Sequence, residues 1–248
     1  MHRFHLPPES WDSAVLGESE SHHCADVLRL SPGDKVAVFD GCGREARAEI
    51  SSVERGRVSL KLSAPAKTPP PPCRITLAQA VPKGKNMDLI VQKAVELGAA
   101  RIAPLLSDRT VVQLEGNDTD RKRSKWQAVA LEACKQCGQN HLPEVSEPLS
   151  VRAFLEREEK KGLLLIASLQ PDARPIKTVL AEHGAAPAAA TILVGPEGDF
   201  TPAEIALAKS HGCLPVTLGP IILRTETAAI YCLSVLAHEL FTAPPAAR

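Results

Sequence analysis

The sequence predicts two domains, a small one made mostly of β-strands followed by a larger α/β domain with a mostly parallel sheet. A length of 248 residues suits one or two domains. The proline run KTPPPPC (67–73) cannot sustain a helix or a strand ladder and favours a stiff spacer. After it, apolar runs of strand length alternate with amphipathic stretches of helix length, as in parallel sheets flanked by helices. We therefore expect domains at 1–68 and 74–248.

The first domain is predicted from short alternating segments. KVAVFDGCGREARAEI (35–50) alternates apolar and polar residues around Asp40-Gly41, a turn signal typical of a β-hairpin. Residues 58–62 (VSLKL) predict another strand. Before them, SHHCADVLRLSPGD predicts a helix that carries Val27, Leu28 and Leu30 and ends at the turn Pro32-Gly33.

In the second domain, five strands are predicted from apolar runs, at 74–80, 101–106, 163–167, 191–194 and 215–218. Helical spacing of apolar residues predicts helices over 86–97 and 121–137, each followed by a glycine suited to a helix C-terminus.

Composition limits the possible functions. Hydrophobic residues make up 44% of the chain, which predicts a folded core. The sequence contains no run of about 18 apolar residues, so we expect no membrane-spanning helix. Seven irregularly spaced cysteines and a start without an apolar signal core predict reduced thiols and a cytoplasmic protein. With 29 basic and 29 acidic residues, the strong positive field of a general nucleic-acid binder is absent, so any RNA contact must be local.

Two glycine turns carry the signal for a binding site. In TILVGPEGDFTPAEI a strand ends in a glycine turn, and Thr201, Pro202 and Glu204 predict a helix start with a capping box. In LGPIILRTETAA (218–229) a second turn again joins a strand to a helix. Backbone amides at such turns can approach a ligand closely, and we expect the two strands to be neighbours that share one crevice. Neither GxxxxGK[ST] nor GxGxxG occurs, which disfavours nucleotide binding by those routes.

These segments resemble the RsmE-type methyltransferases, which modify a uridine at N3 in 16S (small-subunit) ribosomal RNA. The resemblance rests on LVGPEGDFTPAEI and LGPIILRTETAA, and it extends through HHCADVLRLSPGDKVAVFDG, KGKNMDLIVQKAVELGA and EACKQCGQNHLPEV in the family's order. It implies a SPOUT catalytic domain with a parallel sheet and a deep trefoil knot, preceded by a PUA-like β-barrel domain for RNA. It also implies a homodimer that uses S-adenosyl-L-methionine and acts on 16S rRNA or the small ribosomal subunit.

The resemblance assigns residues to the cofactor site. The first turn supplies one loop, the second turn supplies the other wall, and a third loop comes from the end of an earlier strand. The implied cofactor-binding residues are Ala167, Ser168, Gly195, Pro196, Glu197, Gly198, Leu218, Gly219, Ile222, Leu223, Thr227 and Ala228. An adenine needs an apolar slot with backbone donors and acceptors, which glycine-rich turns can provide.

The resemblance makes Arg224 and Glu226 the candidate catalytic residues. The arginine would bind RNA phosphate or stabilise charge on the uracil oxygens, and the glutamate would orient it. The alternative is an ordinary salt bridge at a helix start, where Glu226 would favour the positive end of the helix dipole. The sequence departs from the family pattern at Ile221, where a polar residue is common, and at Asp199, where a second glycine is common.

Candidate RNA contacts are the exposed-type basic residues and histidines of both domains, each of which is equally explicable as a solvated charge: His22, His23, Arg29, Lys83, Lys85 and Arg109. Cys134 and Cys137 have metal-ligand spacing but lie in a helical pattern without a second pair, so we expect no metal. Three other functions stay open at this point: a SPOUT enzyme acting on another RNA position such as a ribose 2′-hydroxyl, a non-catalytic RNA-binding protein of the same fold, and an unrelated α/β enzyme.

Overall fold

The computed structural model of the protein describes residues 1–111, 117–157, 162–183 and 186–241. The chain divides into two compact units. The first comprises Met1–Pro70 together with Leu131–Leu142, and the second comprises Pro71–Ala130 and Pro143–Arg248. The inclusion of Leu131–Leu142 in the first unit is a feature that no sequence pattern indicated. The predicted domain boundaries stay a prediction.

The first unit contains a five-stranded sheet with the order β1-β2-β3-β4, in which β5 also pairs with β3. The pairs are antiparallel except for β1 with β2, which are parallel. The strands are β1 Arg3–His5, β2 Lys35–Phe39, β3 Arg44–Glu54, β4 Arg57–Leu62 and β5 Ala66–Lys67. The alternation read from the sequence puts Val36, Val38, Ala46, Ala48 and Ile50 in one buried cluster, so the predicted hairpin is confirmed.

The helix of this unit begins and ends earlier than predicted. Helix α1 covers Glu18–His22 and continues as a π-helical turn over His23–Val27. The prediction that the helix carries Leu28 and Leu30 was wrong, because Arg29 takes a positive φ of 56° and ends the helical path before the Pro32-Gly33 turn. Val27 is 60% exposed and does not join the core.

The second unit is built on an eight-stranded sheet in which every pair of neighbouring strands is parallel. Its strand order is β11-β13-β10-β12-β6-β7-β8, and β9 also pairs with β7. The strands are β6 Arg74–Ala80, β7 Arg101–Leu106, β8 Glu144–Val145, β9 Leu149–Ser150, β10 Leu163–Ala167, β11 Arg174–Pro175, β12 Ala189–Val194 and β13 Leu214–Thr217. The helices are α2 Asn86–Glu96, α3 Asn117–Cys137, α4 Val151–Arg157, α5 Ile176–His183, α6 Pro202–Ser210 and α7 Thr225–Phe241.

Helices cover both faces of this sheet, which is why its strands read as continuous apolar runs. Alternate side chains such as Ala78, Leu105 and Leu193 pack with α4 and α6 in one cluster. Their neighbours in sequence, such as Leu77 and Ile192, are also fully buried, and α7 contacts β6 and β12. No helix in the described part of the chain is long and apolar enough to cross a membrane.

The two strands that precede the glycine turns are not neighbours. Strand β10 lies between β12 and β13, so the expectation of adjacent strands was wrong. The local patterns of a parallel sheet fix which segments are strands, but strand order is set by the crossovers between them. Because the strands are parallel, their carboxyl ends still meet at one edge of the sheet.

Candidate active site

A cavity of about 240 Å³ opens at the carboxyl ends of β10, β12 and β13. Each of the three strands contributes the residues that follow it, and the start of α7 contributes two more. The lining residues are Ala167, Ser168, Leu169, Val194, Gly195, Pro196, Glu197, Gly198, Asp199, Leu218, Gly219, Ile221, Ile222, Leu223, Thr225 and Ala228. Eleven of the twelve residues that the resemblance assigned to cofactor binding therefore lie around one cavity.

The exception is Thr227, which does not line this cavity. It lies in a separate groove of about 580 Å³ along α7, with Ile230, Tyr231 and His238. Successive helical residues are about 100° apart around the axis, so Thr225 and Ala228 share a face that Thr227 cannot share.

The turn after β12 is shaped by its own backbone. The amide of Asp199 donates to the carbonyl of Pro196 at 3.0 Å, which closes a turn over 196–199. Asp199 takes a φ of 62°, the left-handed region that favours glycine, and its Oδ1 accepts from the amide of Phe200 at 2.8 Å. This conformation suits a glycine, the residue that the resemblance led us to expect here, and a short polar side chain such as that of Asp199 can also adopt it.

Neighbouring segments hold this turn in place. Glu197 Oε1 accepts from the amide of Lys83 at 3.0 Å, and Arg109 donates to the carbonyl of Gly198 at 2.5 Å. At the start of α6, the predicted capping box is formed by Thr201 and Glu204. Glu204 is buried and also accepts from the amide of Asp108 at 2.9 Å. Arg109, a candidate RNA contact, thus contacts the turn at the cavity.

A buried polar chain that sequence reasoning missed joins β6 to the cavity wall. Gln79 on β6 is fully buried, and its Nε2 donates to Thr225 Oγ1 at 3.0 Å. The Thr225 hydroxyl in turn donates to the carbonyl of Gly195 at 2.7 Å. No local signal marks Gln79, because Thr225, its partner at the cavity wall, lies more than a hundred residues away in sequence.

The two candidate catalytic residues lie at the start of α7. Arg224 is exposed and precedes the helix, where its carbonyl accepts from the amide of Ala228 at 2.8 Å. Glu226 is half-buried, and Asn86 Nδ2 donates to it at 3.4 Å. Within the described ranges no ion pair joins Arg224 to Glu226 or to any other carboxylate, so the salt bridge considered as an alternative is not formed. The neighbouring Ile221 and Ile222 are 73% and 77% exposed at the rim of the cavity.

The remaining candidate RNA contacts lie in both units. Lys83 and Lys85 are exposed in the loop that precedes α2. In the first unit, His22 Nδ1 is 2.8 Å from Asp26 Oδ2, His23 meets the Phe4 ring edge-on, and Arg29 is exposed. The sequence reasoning missed Arg55 and Arg57, which line a cavity of about 680 Å³ together with His22.

The cysteines of the second unit do not supply a reactive group at the cavity. Cys232 lies on α7, and burial raises the pKa of its thiol to about 12, which keeps it protonated at neutral pH. Among the described residues, no group of three or more His, Cys, Asp and Glu side chains could hold a metal ion. The polar groups around the cavity are those of the backbone, the hydroxyls of Ser168 and Thr225 and the carboxylates of Glu197 and Asp199.

Comparison with known proteins agrees with this geometry. A model of the RNA methyltransferase domain matches residues 69–237, and a model of the RNA methyltransferase PUA domain matches residues 16–63. Ribosomal RNA small subunit methyltransferase E of Bacillus subtilis is 32% identical over 230 residues, which cover 91% of this chain and 90% of that protein. The protein of the same name from Synechocystis is 34% identical over 90% of this chain and 72% of its own length.

Two similar structures were solved with S-adenosylmethionine. A Legionella pneumophila methyltransferase has a TM-score of 0.87 and 34% identity, and ribosomal RNA small subunit methyltransferase E of Neisseria gonorrhoeae has a TM-score of 0.85 and 31% identity. Each match covers 96% of this chain and 98% of the other. The family model spans more than half of the chain, and the relatives match along nearly all of it. The chain therefore belongs to the ribosomal RNA small subunit methyltransferase E family.

Proposed function

We propose that the protein transfers a methyl group from S-adenosylmethionine to N3 of a specific uridine in 16S ribosomal RNA. One observation carries the proposal: three parallel strands and the start of α7 bring eleven of the twelve implied cofactor residues around one cavity, with Arg224 next to it. The names of the relatives and the S-adenosylmethionine in the similar structures support the same activity.

The residues around the cavity suit this cofactor. Leu218, Leu223 and Ile222 provide apolar surface for an adenine, while Gly195 and Gly198 let backbone groups approach a ligand closely. Ser168 is buried at the end of β10 and adds a hydroxyl to the same wall. When bound, S-adenosylmethionine supplies an electrophilic methyl group on a sulfonium, so the protein mainly has to position it against the base.

Arg224 is the proposed electrostatic group of the reaction. Uracil N3 must lose its proton before it can accept a methyl group, and the resulting negative charge spreads onto the two carbonyl oxygens. A cation next to those oxygens stabilises this charge. Arg224 is exposed and unpaired within the described ranges, so it is available to substrate. Glu226 two residues later does not pair with it in this structure and would orient it once substrate is bound. The carboxylates near the cavity do not single out a base.

RNA binding is proposed for basic residues in both units. Lys83 and Lys85 lie on the loop that is hydrogen-bonded to Glu197 at the cavity, which would let them contact phosphates next to the target base. In the PUA-like domain, proposed to be a β-barrel over 1–68, His22, His23 and Arg29 would extend the contact to RNA. With zero formal charge, the protein would depend on such local contacts.

The finer features of the family are proposals for this chain: a trefoil knot in the domain over 74–248, a homodimer, cytoplasmic location and the absence of a metal. The knot would have the chain threaded between Thr191 and Ala229. The homodimer is supported by the groove on α7, where Ile230, Tyr231 and Val235 leave apolar surface open.

The test combines product mapping with one variant. Small-subunit RNA from cells lacking the protein should lack one N3-methyluridine, and the purified protein should restore it. Loss of a ribose methyl group instead would indicate a different RNA position. Calorimetry should show S-adenosylmethionine binding, and no binding to the folded protein would favour a non-catalytic RNA-binding role. Arg224→Ala should fold normally and transfer methyl groups at least a hundredfold more slowly, as expected for loss of one charge-stabilising donor; normal transfer would make Arg224 structural.

A further inference from the structure

Gln79 lies on strand β6 next to the cavity wall, and its polar side chain is fully buried. It is the one described residue of this strand that also has a buried side-chain atom without a hydrogen-bond partner. Its Oε1 has no hydrogen-bond partner within the described ranges. An unpaired buried acceptor normally costs free energy, so the Oε1 side of the amide gives no reason for a glutamine here. The Nε2 side of the amide must therefore explain why a glutamine occupies this position.

The hydrogen-bond chain has only one possible direction. An amide nitrogen can only donate, so Thr225 Oγ1 must accept from Gln79 Nε2. The single hydroxyl proton of Thr225 is then free to point at the carbonyl of Gly195, 2.7 Å away. Without the Gln79 donor, the threonine hydroxyl would lose the contact that fixes this orientation.

The chain of contacts joins the two walls of the cavity. Gly195 begins the turn after β12, and Thr225 is the first residue of α7 and follows Arg224 directly. Both Gly195 and Thr225 line the cavity, whereas Gln79 does not. Gln79 Nε2 also donates to the carbonyl of Ala80 at 2.9 Å, which anchors the amide to its own strand.

We propose that Gln79 is a positioning residue for methyl transfer: acting through Thr225, it fixes the Gly195 carbonyl and the start of α7 at the cofactor cavity. The inference rests on the proposed function, because the cavity must hold S-adenosylmethionine for the position of these groups to matter. Gln79 contacts neither substrate nor cofactor in this role.

The test is a set of single and double variants measured by calorimetry with S-adenosylmethionine and by thermal unfolding without it. Gln79→Met keeps the length of the side chain and removes both amide atoms. It should bind the cofactor about tenfold more weakly, the equivalent of one hydrogen bond. Its unfolding temperature should stay close to that of the wild type, because removal of the unpaired Oε1 offsets the loss of the Nε2 hydrogen bonds. Thr225→Val should show a similar loss, whereas Thr225→Ser, which keeps the hydroxyl, should bind like wild type.

The double variant Gln79→Met/Thr225→Val separates a shared path from two independent effects. If Gln79 acts through Thr225, the double variant binds no more weakly than Thr225→Val alone. The proposal would be overturned if the losses of affinity in the two single variants multiplied in the double variant. Normal cofactor binding by folded Gln79→Met would also overturn it. A loss of unfolding temperature in parallel with affinity would make Gln79 merely structural. If Gln79→Met does not fold, equal affinities of Thr225→Val and Thr225→Ser would overturn it. Failure of wild-type protein to bind the cofactor would instead refute the proposed function itself.

Discussion

The turn after β12 contains two glycines, Gly195 and Gly198, which differ in how much space a Cβ atom would have. Neither Gly195 nor Gly198 has a positive φ, so an alanine would meet no backbone strain at either position. A Cβ at Gly195 would lie 3.1 Å from Asp199 Oδ1 and 3.2 Å from the backbone nitrogen of Phe200. A Cβ at Gly198 would only touch the side chain of Arg109, at 3.4 Å.

These distances give the expected magnitudes. Gly195→Ala forces backbone atoms of the turn to move, and overpacking of this kind costs about 1–3 kcal/mol. Gly198→Ala makes an ordinary contact with a flexible side chain and reduces the freedom of the unfolded chain, which stabilises by about 0.4–1 kcal/mol. The two variants should therefore differ by about 2 kcal/mol in the free energy of unfolding, or roughly 4–8 °C in unfolding temperature.

Thermal unfolding without ligand is the deciding assay, because it isolates the protein's own packing from contacts with the cofactor. Calorimetry with S-adenosylmethionine should then show weaker binding by Gly195→Ala, since the displaced turn lines the cavity. Equal unfolding temperatures of the two variants, or a lower one for Gly198→Ala, would refute the reasoning from close approach.

Two further predictions concern stability and reactivity. Burial disfavours the charge of Asp40, but hydrogen bonds from the Arg44 side chain and from the amides of Cys42 and Arg44 outweigh it and hold its pKa below the ordinary value. The ionised Asp40 carboxylate therefore stabilises the fold above about pH 4, and this stabilisation is lost as pH falls through the lowered pKa. Urea unfolding should show that Asp40→Asn lowers the free energy of unfolding by about 2 kcal/mol at pH 7 and by less at pH 3. Of the seven cysteines, Cys42 and Cys137 are exposed, whereas burial raises the pKa of the Cys24 and Cys73 thiols to about 11 and that of Cys134 to about 12. A thiol reagent should therefore label two cysteines rapidly in the native protein. Rapid labelling of a third cysteine would contradict the burial.

Five of the eight described strands of the second unit could be predicted because each is a bounded apolar run, whereas β8, β9 and β11, of two residues each, were missed. The segments 74–80, 101–106 and 163–167 are strands with the predicted bounds. The capping signals at Thr201 were equally local and equally informative. Strand β1 was missed because three residues carry too little pattern to be recognised.

The site was less accessible to sequence reasoning, since it depends on contacts between distant segments. The glycine turns marked two walls of the cavity, but the position of β10 between their strands is a property of the crossovers. Thr227 was assigned by its place in a motif, and helical rotation moves it away from Thr225 and Ala228. Gln79 had no motif of its own, because its hydrogen-bond partners join it only after folding.

The first unit includes Leu131–Leu142, which follow some sixty residues of the second unit in the chain. In this unit, Asn140 bonds with Arg3 and Thr68, and Lys135 forms a largely buried ion pair with Glu20. During synthesis, these contacts can therefore form only after the chain has been made through residue 142, long after the amino-terminal residues have left the ribosome. A fragment that stops at Pro70 would leave Glu20 without its cation and the Arg3 side chain without its amide partner.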